Sequence, residues 1–516
     1  MSNTLLGIDL GTTNIKGIMI DESGNVLASA SRPCKTYEPG PLMVEQKAEE
    51  WWDSCVEILR EITEKAGTTA VHSLRGISTS SHVISLLPVD KEGTPLRNAI
   101  TYQDSRSAAE SDEIVRIVGK EQFVRIVGGQ PSVGFLPNKI LWYRKNEPEL
   151  FEKTAAILQA NGWLNYKLTG VFNQDADCAS RTQCYHMSDL SVSEEIADAV
   201  GADFHTILPR PAACTEIIGT VTKEAAELTG LIEGIPVVAG ASDAMASMYA
   251  TGISALGEAG ESSGTTSLVF VGASRRSPAD APVVTRPCYI KGMPYLYDAP
   301  ISSAGASLKW MISTLCQSEN EAAQASHLNI YDCLNAIALD TPAGSEGVLF
   351  FPYLVAGERA PLWNSHARGM FIGMNISTQK KHLIRSVFEG TAFALRHVLT
   401  TVGETGGISS SLRITGGGSQ SKVWNMIKAS MLHMPVYTLD DNGGDVPFGD
   451  CLIAGTGTGV FEDLTASIRN MIRVKEKIDP IPEWEKVYDK LYPYYVEMYQ
   501  KLDDSLRRFK TTVDEL

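Results

Sequence analysis

The sequence predicts an α/β chain built from two similar halves, and three observations carry that prediction. Strand-like apolar runs and helical patterns alternate along the chain. A length of 516 residues exceeds what one ordinary core holds and points to two large domains. A glycine-threonine-threonine turn occurs twice, at Gly11-Thr12-Thr13 and Gly264-Thr265-Thr266, about half the chain apart. Each half is therefore expected to present such a turn to one ligand.

The first turn lies in Gly7-Ile8-Asp9-Leu10-Gly11-Thr12-Thr13-Asn14-Ile15-Lys16-Gly17, between the apolar runs Leu5 to Ile8 and Ile15 to Ile20. This reads as a hairpin whose tip suits a nucleotide tail. Gly11 admits a phosphate close to the backbone, turn N–H groups form an anion-binding concavity with Thr12 and Thr13, and Lys16 supplies a point charge. A bare carboxylate beside phosphates repels them unless a cation intervenes, so Asp9 implies Mg2+. The second turn, within Gly260 to Ser267, precedes the apolar run Leu268 to Val271. Two such loops imply ATP.

Composition narrows the partners. Hydrophobic content of 43% with 21% charged residues is ordinary globular composition. A net charge of −16 argues against a nucleic-acid or anionic-membrane surface, leaving phosphate binding to local dipoles and metal. The nine cysteines are scattered and lack a Cys-x-x-Cys pair, which indicates neither a zinc site nor a disulfide framework. They fit a reducing cytoplasm. With no basic-then-apolar leader and no apolar run of about 18 residues, a cytoplasmic location without membrane contact is expected.

Taken in order, Asp21 to Asn25 is a turn and Val26 to Ala30 a third strand. Lys47 to Lys65 has helical spacing, with Gly67 as its stop. Its tryptophans are expected to pack in a core. Leu74 to Ser80 reads as a strand ending in Ser80, Ser81 and His82, Val83 to Val89 as another, and Ala99 to Tyr102 runs into Gln103 and Asp104. Polar groups at strand ends contact ligands in α/β folds, which makes His82, Gln103 and Asp104 candidate substrate hydrogen-bonders, although a loop histidine satisfied within the protein is the common alternative. Val237 to Ala241 reads as a buried strand ending at Ser242-Asp243. Asp243 is suited to accept a hydroxyl proton or, more plainly, to cap the helix Ala244 to Ala250. Farther on, Ala304 opens a helix, Val348 to Tyr353 is a strand, and Leu412 to Thr415 runs into Gly416-Gly417-Gly418-Ser419-Gln420 and a helix through Met431. Trp484 to Phe509 reads as a C-terminal brace.

The paired Gly-Thr-Thr hairpins resemble those of the actin, hexokinase and heat-shock chaperone ATPases, which clamp ATP in a cleft between two ribonuclease-H-like domains. Phe135 to Pro148, with Lys139 and Trp142, resembles the first signature of the FGGY carbohydrate kinases, departing at Leu136 and Tyr143. Leu168-Thr169-Gly170, Asp175 and Ala179 to Thr182 resemble the family's next segment, and Gly357 to Trp363 a further loop. Gly369 to Met374 followed by His382 to Glu389 matches the family's second signature at every specified position, with scaffold as its role. Gly449 to Gly455 departs from the family's usual glycine-alanine-alanine run, with Asp450 and Cys451 in the alanine places.

The resemblance implies an ATP-dependent sugar kinase with an interdomain ATP cleft. Residues 1–250 would carry the sugar site, the first phosphate loop and the catalytic Asp243. Residues 251–516 would carry the second phosphate loop, an adenosine site at Gly416, Gly417 and Gln420, and the C-terminal helix. Asp9 would position Mg2+, Asp243 would act as general base, and the sugar would meet Ser81, His82, Gln103, Asp104 and Asp243. Glycerol kinases carry arginine-glutamate where this chain has Ser81-His82, and xylulokinases carry methionine-histidine. A pentulose such as xylulose is therefore the expected acceptor, with gluconate or a polyol as the alternative. A sugar-binding regulator would have lost Asp9 or Asp243, and an actin-like ATPase would need no acceptor. The sequence is compatible with a homodimer.

Overall fold

The computed structural model describes residues 2–278, 281–355, 357–440 and 444–514. The chain forms two compact units. The first comprises Met1–Ala250, Arg286–Lys291 and Gly444–Ile472, the second Thr251–Thr285, Gly292–Gly443 and Arg473–Leu516.

The first unit opens with an antiparallel meander, β1 (Thr4–Leu10), β2 (Asn14–Asp21) and β3 (Val26–Pro33). Register pairs Asp9 with Lys16 and Leu10 with Ile15, so Gly11-Thr12-Thr13 forms the tip. Helix α1 (Ala48–His72) leaves helical geometry at Gly67 (φ 81°, ψ 162°), where the sequence expects a stop, and then runs on to His72. β4 (Leu74–Ser81) lies parallel to β1 and sets Ser80 opposite Asp9. The strand expected over Val83 to Val89 is confined to Leu87–Val89, because Ile84 adopts φ 66° and breaks the extended run. After α2 (Leu136–Asn146), α3 (Ala160–Thr169) and α4 (Ala176–Arg181) come β5 (Ile217–Thr220), β6 (Pro236–Val238), β7 (Ala241–Ser242) and α5 (Asp243–Ala250). The sheet runs β5-β6-β4-β1-β2-β3, with β7 also paired to β4. Leu6, Ile8, Met19, Trp51, Ile58, Ile62 and Ile77 form the core between this sheet and its helices.

The second unit repeats the arrangement with β8 (Gly257–Ser263), β9 (Ser267–Ala273) and β10 (Met293–Ile301), then α6 (Ala304–Thr314), α7 (Lys380–Thr405), β11 (Ser409–Thr415), α8 (Lys422–Leu432) and β12 (Val436–Leu439). Next in the chain is α9 (Val446–Gly457), which belongs to the first unit, and then β13 (Val474–Ile478) and α10 (Pro482–Asp514) complete the second. The order β10-β9-β8-β11-β12-β13 matches β3-β2-β1-β4-β6-β5 in strand directions: two antiparallel pairings, two parallel and one antiparallel. This is the ribonuclease-H-like plan, present twice.

Close packing holds α9 in the first unit. A Cβ on Gly7 of β1 would stand 1.9 Å from the Pro447 carbonyl oxygen and 2.9 Å from Asp450 Cβ. Only a residue without a side chain lets the helix backbone approach the strand so closely. Gly7→Ala is expected to cost at least about 1–3 kcal/mol, the range for overpacked interiors, and to lower the urea midpoint of unfolding. An unchanged midpoint would show that α9 does not press on β1.

Candidate active site

The end of β1 lies near several carboxylates of the first unit, Asp9 feeling the charges of Asp243 and Asp445. Asp9 is buried, and Ser80 Oγ on β4 lies 3.2 Å from its Oδ1. No described residue hydrogen-bonds Oδ2. Burial, and next the nearby charge of Asp243, push the Asp9 carboxyl well above its usual range, which Ser80 and Lys16 only partly offset. Lys16 Nζ stands 4.0 Å from Asp445, at the start of α9. The tip is shaped by Gly11 N–H donating to the Asn14 carbonyl at 3.0 Å, and Gln46 Nε2 donates to the Thr12 carbonyl at 2.9 Å. Thr13 is exposed.

Asp243 begins α5, partly buried, and its Oδ1 accepts the Ala244 N–H at 2.6 Å. Burial pushes its carboxyl up to about 6, against the pull of the Ala244 N–H and Arg181. The preceding residue is anchored from α4: Ser242 N–H donates to Asp177 Oδ2 at 3.2 Å, and Arg181 Nε holds Asp177 from one turn on. Asp175 caps α4 and accepts Asn161 Nδ2 at 2.9 Å. The segment around Asp175 and Arg181 thus buttresses the strand end that presents Asp243, a role its sequence alone did not disclose.

The expected sugar contacts differ in availability. His82 N–H donates to the Leu10 carbonyl at 3.1 Å, so His82 sits beside the hairpin. Its ring is buried, edge-on to Trp51 at 5.8 Å, with Nδ1 3.1 Å from Ser85 Oγ. Nε2 has no hydrogen-bond partner among the described residues. Burial, and then the Lys139 charge, lower the imidazole to about 4, so it is neutral at neutral pH. Gln103 is exposed. Ser81 and Asp104 are engaged internally. Ser81 Oγ donates to the His82 carbonyl at 2.8 Å, and Asp104 accepts Val44 N–H at 2.6 Å and Arg106 NH2 at 2.7 Å. Beneath them Lys139, fully buried, donates to the carbonyls of Ile84 at 2.6 Å and Thr101 at 2.8 Å. It clamps the loops carrying His82 and Gln103, which explains a signature lysine that the sequence left without a task.

In the second unit, Gly264, Thr265 and Thr266 form an exposed tip. The Gly305 and Ala306 N–H groups at the start of α6 donate to the Gly264 and Thr265 carbonyls at 3.1 and 2.9 Å. At the root of this hairpin Lys428 Nζ lies 2.8 and 3.0 Å from the Glu261 oxygens and 3.3 Å from Ser263 Oγ, all buried. The glycine turn after β11 passes close by: Gly416 adopts φ 77°, and a Cβ on it would stand 2.8 Å from the Ser263 carbonyl oxygen. Gly416, Gly417 and Gln420 are exposed.

Residues 4–250 match the family model described as the FGGY family of carbohydrate kinases, N-terminal domain, and residues 261–457 match its C-terminal domain. The chain belongs to the FGGY family of carbohydrate kinases. It is 28% identical over 509 residues to a xylulose kinase of Bacillus subtilis, covering 98% of this chain and 99% of that one. To a gluconokinase of the same organism it is 28% identical over 512 residues, covering 98% and 97%. The crystal structure of xylulose kinase from Rhodospirillum rubrum superposes with a TM-score of 0.87 at 28% identity, covering 98% of this chain and 100% of that one. As an FGGY kinase the chain is an ATP-dependent sugar kinase. Among the described residues no helix is long and apolar enough to cross a membrane.

The second hairpin's root yields a structural prediction. Lys428→Met leaves Glu261 buried without its cation, and breaking a buried pair in this way costs about 3–5 kcal/mol. The variant's melting midpoint is expected to fall well below wild type, and adding Glu261→Gln should recover part of the loss. No loss on Lys428→Met would mean the pair is not held in the interior.

Proposed function

We propose that this kinase phosphorylates a pentulose such as xylulose, and the observation that carries the reading is His82 Nε2. A buried, neutral imidazole nitrogen with no protein partner, beside the phosphate hairpin, suits a sugar hydroxyl that would donate or accept there. Gln103 adds an exposed amide, while Ser81 and Asp104 keep the loop in shape. Xylulose is the substrate named for two of the relatives described above. The gluconokinase relative is equally identical, which keeps gluconate as the second reading.

Asp243 is the proposed general base. It takes the proton of the sugar hydroxyl as that oxygen bonds to the γ-phosphorus and the bond to the β–γ bridging oxygen breaks, yielding ADP and a sugar phosphate. The first hairpin offers the Thr12 and Thr13 N–H groups and the Lys16 charge to phosphate, with Gly11, whose N–H closes the turn, allowing close approach. The second unit offers Gly264, Thr265 and Thr266 to phosphate and Gly416, Gly417 and Gln420 to adenosine. Asp9 fits magnesium. Its Oδ2 is uncommitted among the described residues, and burial, with Asp243 nearby, raises its pKa, a strain on the carboxylate that a divalent cation relieves. When bound, magnesium would neutralise phosphate charge. A cytoplasmic site of action suits the nine free cysteines, and sedimentation distinguishes a monomer from the proposed homodimer.

An ADP-release screen over ketopentoses, ketohexoses, alditols and aldonates tests the function. Turnover should rise with a ketopentose; sugar-independent hydrolysis alone would replace the reading with an ATPase. For the base, the ionised form is the active one, so kcat/KM should fall as pH drops through about 6, where Asp243 gains its proton. Asp243→Asn should lower kcat by on the order of 10² to 10⁴, and near wild-type turnover would remove Asp243 from that role. His82→Ala should raise the sugar KM about tenfold while leaving the KM for ATP unchanged. An unaltered sugar KM would move the sugar site elsewhere.

A further inference from the structure

Helix α9 brings to the strand ends a carboxyl group that the mechanism above does not use. Asp450 is fully buried, with Oδ2 2.7 Å from Ser80 Oγ and Oδ1 3.3 Å from Ser78 Oγ. The same Ser80 Oγ lies 3.2 Å from Asp9 Oδ1. One hydroxyl therefore stands between two buried carboxyl groups, and it has one proton to give. Were both groups ionised, one contact would set a carboxylate against an oxygen with no hydrogen between them, in a place without water to screen it. Both contacts are satisfied at once if Asp450 is a carboxylic acid whose O–H donates to Ser80 Oγ, leaving the Ser80 proton for Asp9. The shorter contact is the one to Asp450, as suits an acid O–H donor. Gly7 exists at the point of β1 where α9 must come close enough to make this contact, and a Cβ there would meet Asp450 Cβ at 2.9 Å.

We propose that Asp450 is a positioning residue for the kinase reaction: as a neutral acid donating to Ser80, it commits the Ser80 hydroxyl to Asp9 and so fixes the carboxylate assigned to magnesium. Without that donor the hydroxyl is free to turn away from Asp9, and the carboxylate loses its orientation. The inference rests on the metal role proposed for Asp9.

Four variants test it: Asp450→Ala, Ser80→Ala, the two combined, and Asp450→Asn, whose amide is the same size and keeps a donor. Asp450→Ala and Ser80→Ala should each raise the KM for Mg-ATP about tenfold, the effect of one lost hydrogen bond to a charged group, with the sugar KM unmoved. The combined variant should be no worse than the poorer single one, since both break one chain of contacts. Asp450→Asn should restore the KM for Mg-ATP to within about threefold of wild type. Additive losses in the combined variant, or an asparagine variant as impaired as the alanine one, would overturn the proposal. Should Asp450→Ala fail to fold, the asparagine and Ser80→Ala arms still decide, with melting midpoints as control. A wild-type enzyme that shows no sugar-stimulated ADP release would overturn the kinase reading instead. Wild-type turnover with unaffected variants would overturn this inference alone.

Discussion

Burying like charge is the constraint on which the first unit turns. Asp9, Asp243, Asp445 and Asp450 all lie at or near the ends of its central strands, and burial pushes every one of these carboxyls upward. Lys16, half exposed and 4.0 Å from Asp445, offsets little of this. Chosen for stability alone, such a cluster would be replaced by apolar side chains. Ser78 and Ser80 limit the cost by hydrogen-bonding Asp450, the deepest member.

Each of the two signature segments braces its own unit. In the first, Lys139 gives protons to two loop carbonyls, and Arg97 and Arg106 lie over the Trp142 ring at 5.5 and 4.9 Å. In the second, Arg385 and Glu389 form a buried pair at 2.7 Å that also takes in Tyr488 of α10 and the carbonyls of Ala338 and Thr341. An arginine with acceptors on several segments fixes them in one arrangement, which removing any partner would undo. That geometry, with Tyr488 and Tyr495 in the second unit's core, binds α10 to the rest of that unit.

Much of this was legible in the residues because it is local. The hairpin around Gly11, the repeat at Gly264, the strand end at Asp243 and the glycine turn at Gly416 each combine a short apolar run with residues of special backbone freedom, and those patterns survive without knowledge of the fold. The long-range contacts were not legible. Nothing near Gly7 or Asp450 in sequence tells that a helix more than 400 positions later lies on β1. Nor does the pattern Gln103-Asp104 tell that the second residue turns inward to Val44 and Arg106 while the first stays exposed, since both are polar and adjacent. The difference is set by Arg106 and by an N–H from a distant loop. Asp243 shows the intermediate case: its place at the start of a helix was visible, but the capping contact falls to Ser242, whose Oγ accepts the Met245 N–H at 3.2 Å, and the raised carboxyl depends on burial, which only packing creates.

The two hairpins are copies in backbone and opposites in charge. Aligned on their glycine-threonine-threonine turns, Asp9 of the first falls on Ser262 of the second, and apolar Ile8 falls on Glu261. The second hairpin thus has a carboxylate too, shifted by one residue along a strand where neighbours face opposite sides. There it points away from the position of Asp9 and meets Lys428, with Ser267 Oγ donating to it at 2.7 Å. With Glu261 neutralised at its root, the second tip carries hydroxyls and the Lys309 ammonium, which donates to Thr265 Oγ1 at 3.1 Å. Among the described residues no cation is bonded to the carboxylate of the first hairpin, Asp9. The same turn, present in both units, thus sits above a carboxylate on one face of its strand in the first unit and on the opposite face in the second, where Lys428 neutralises it.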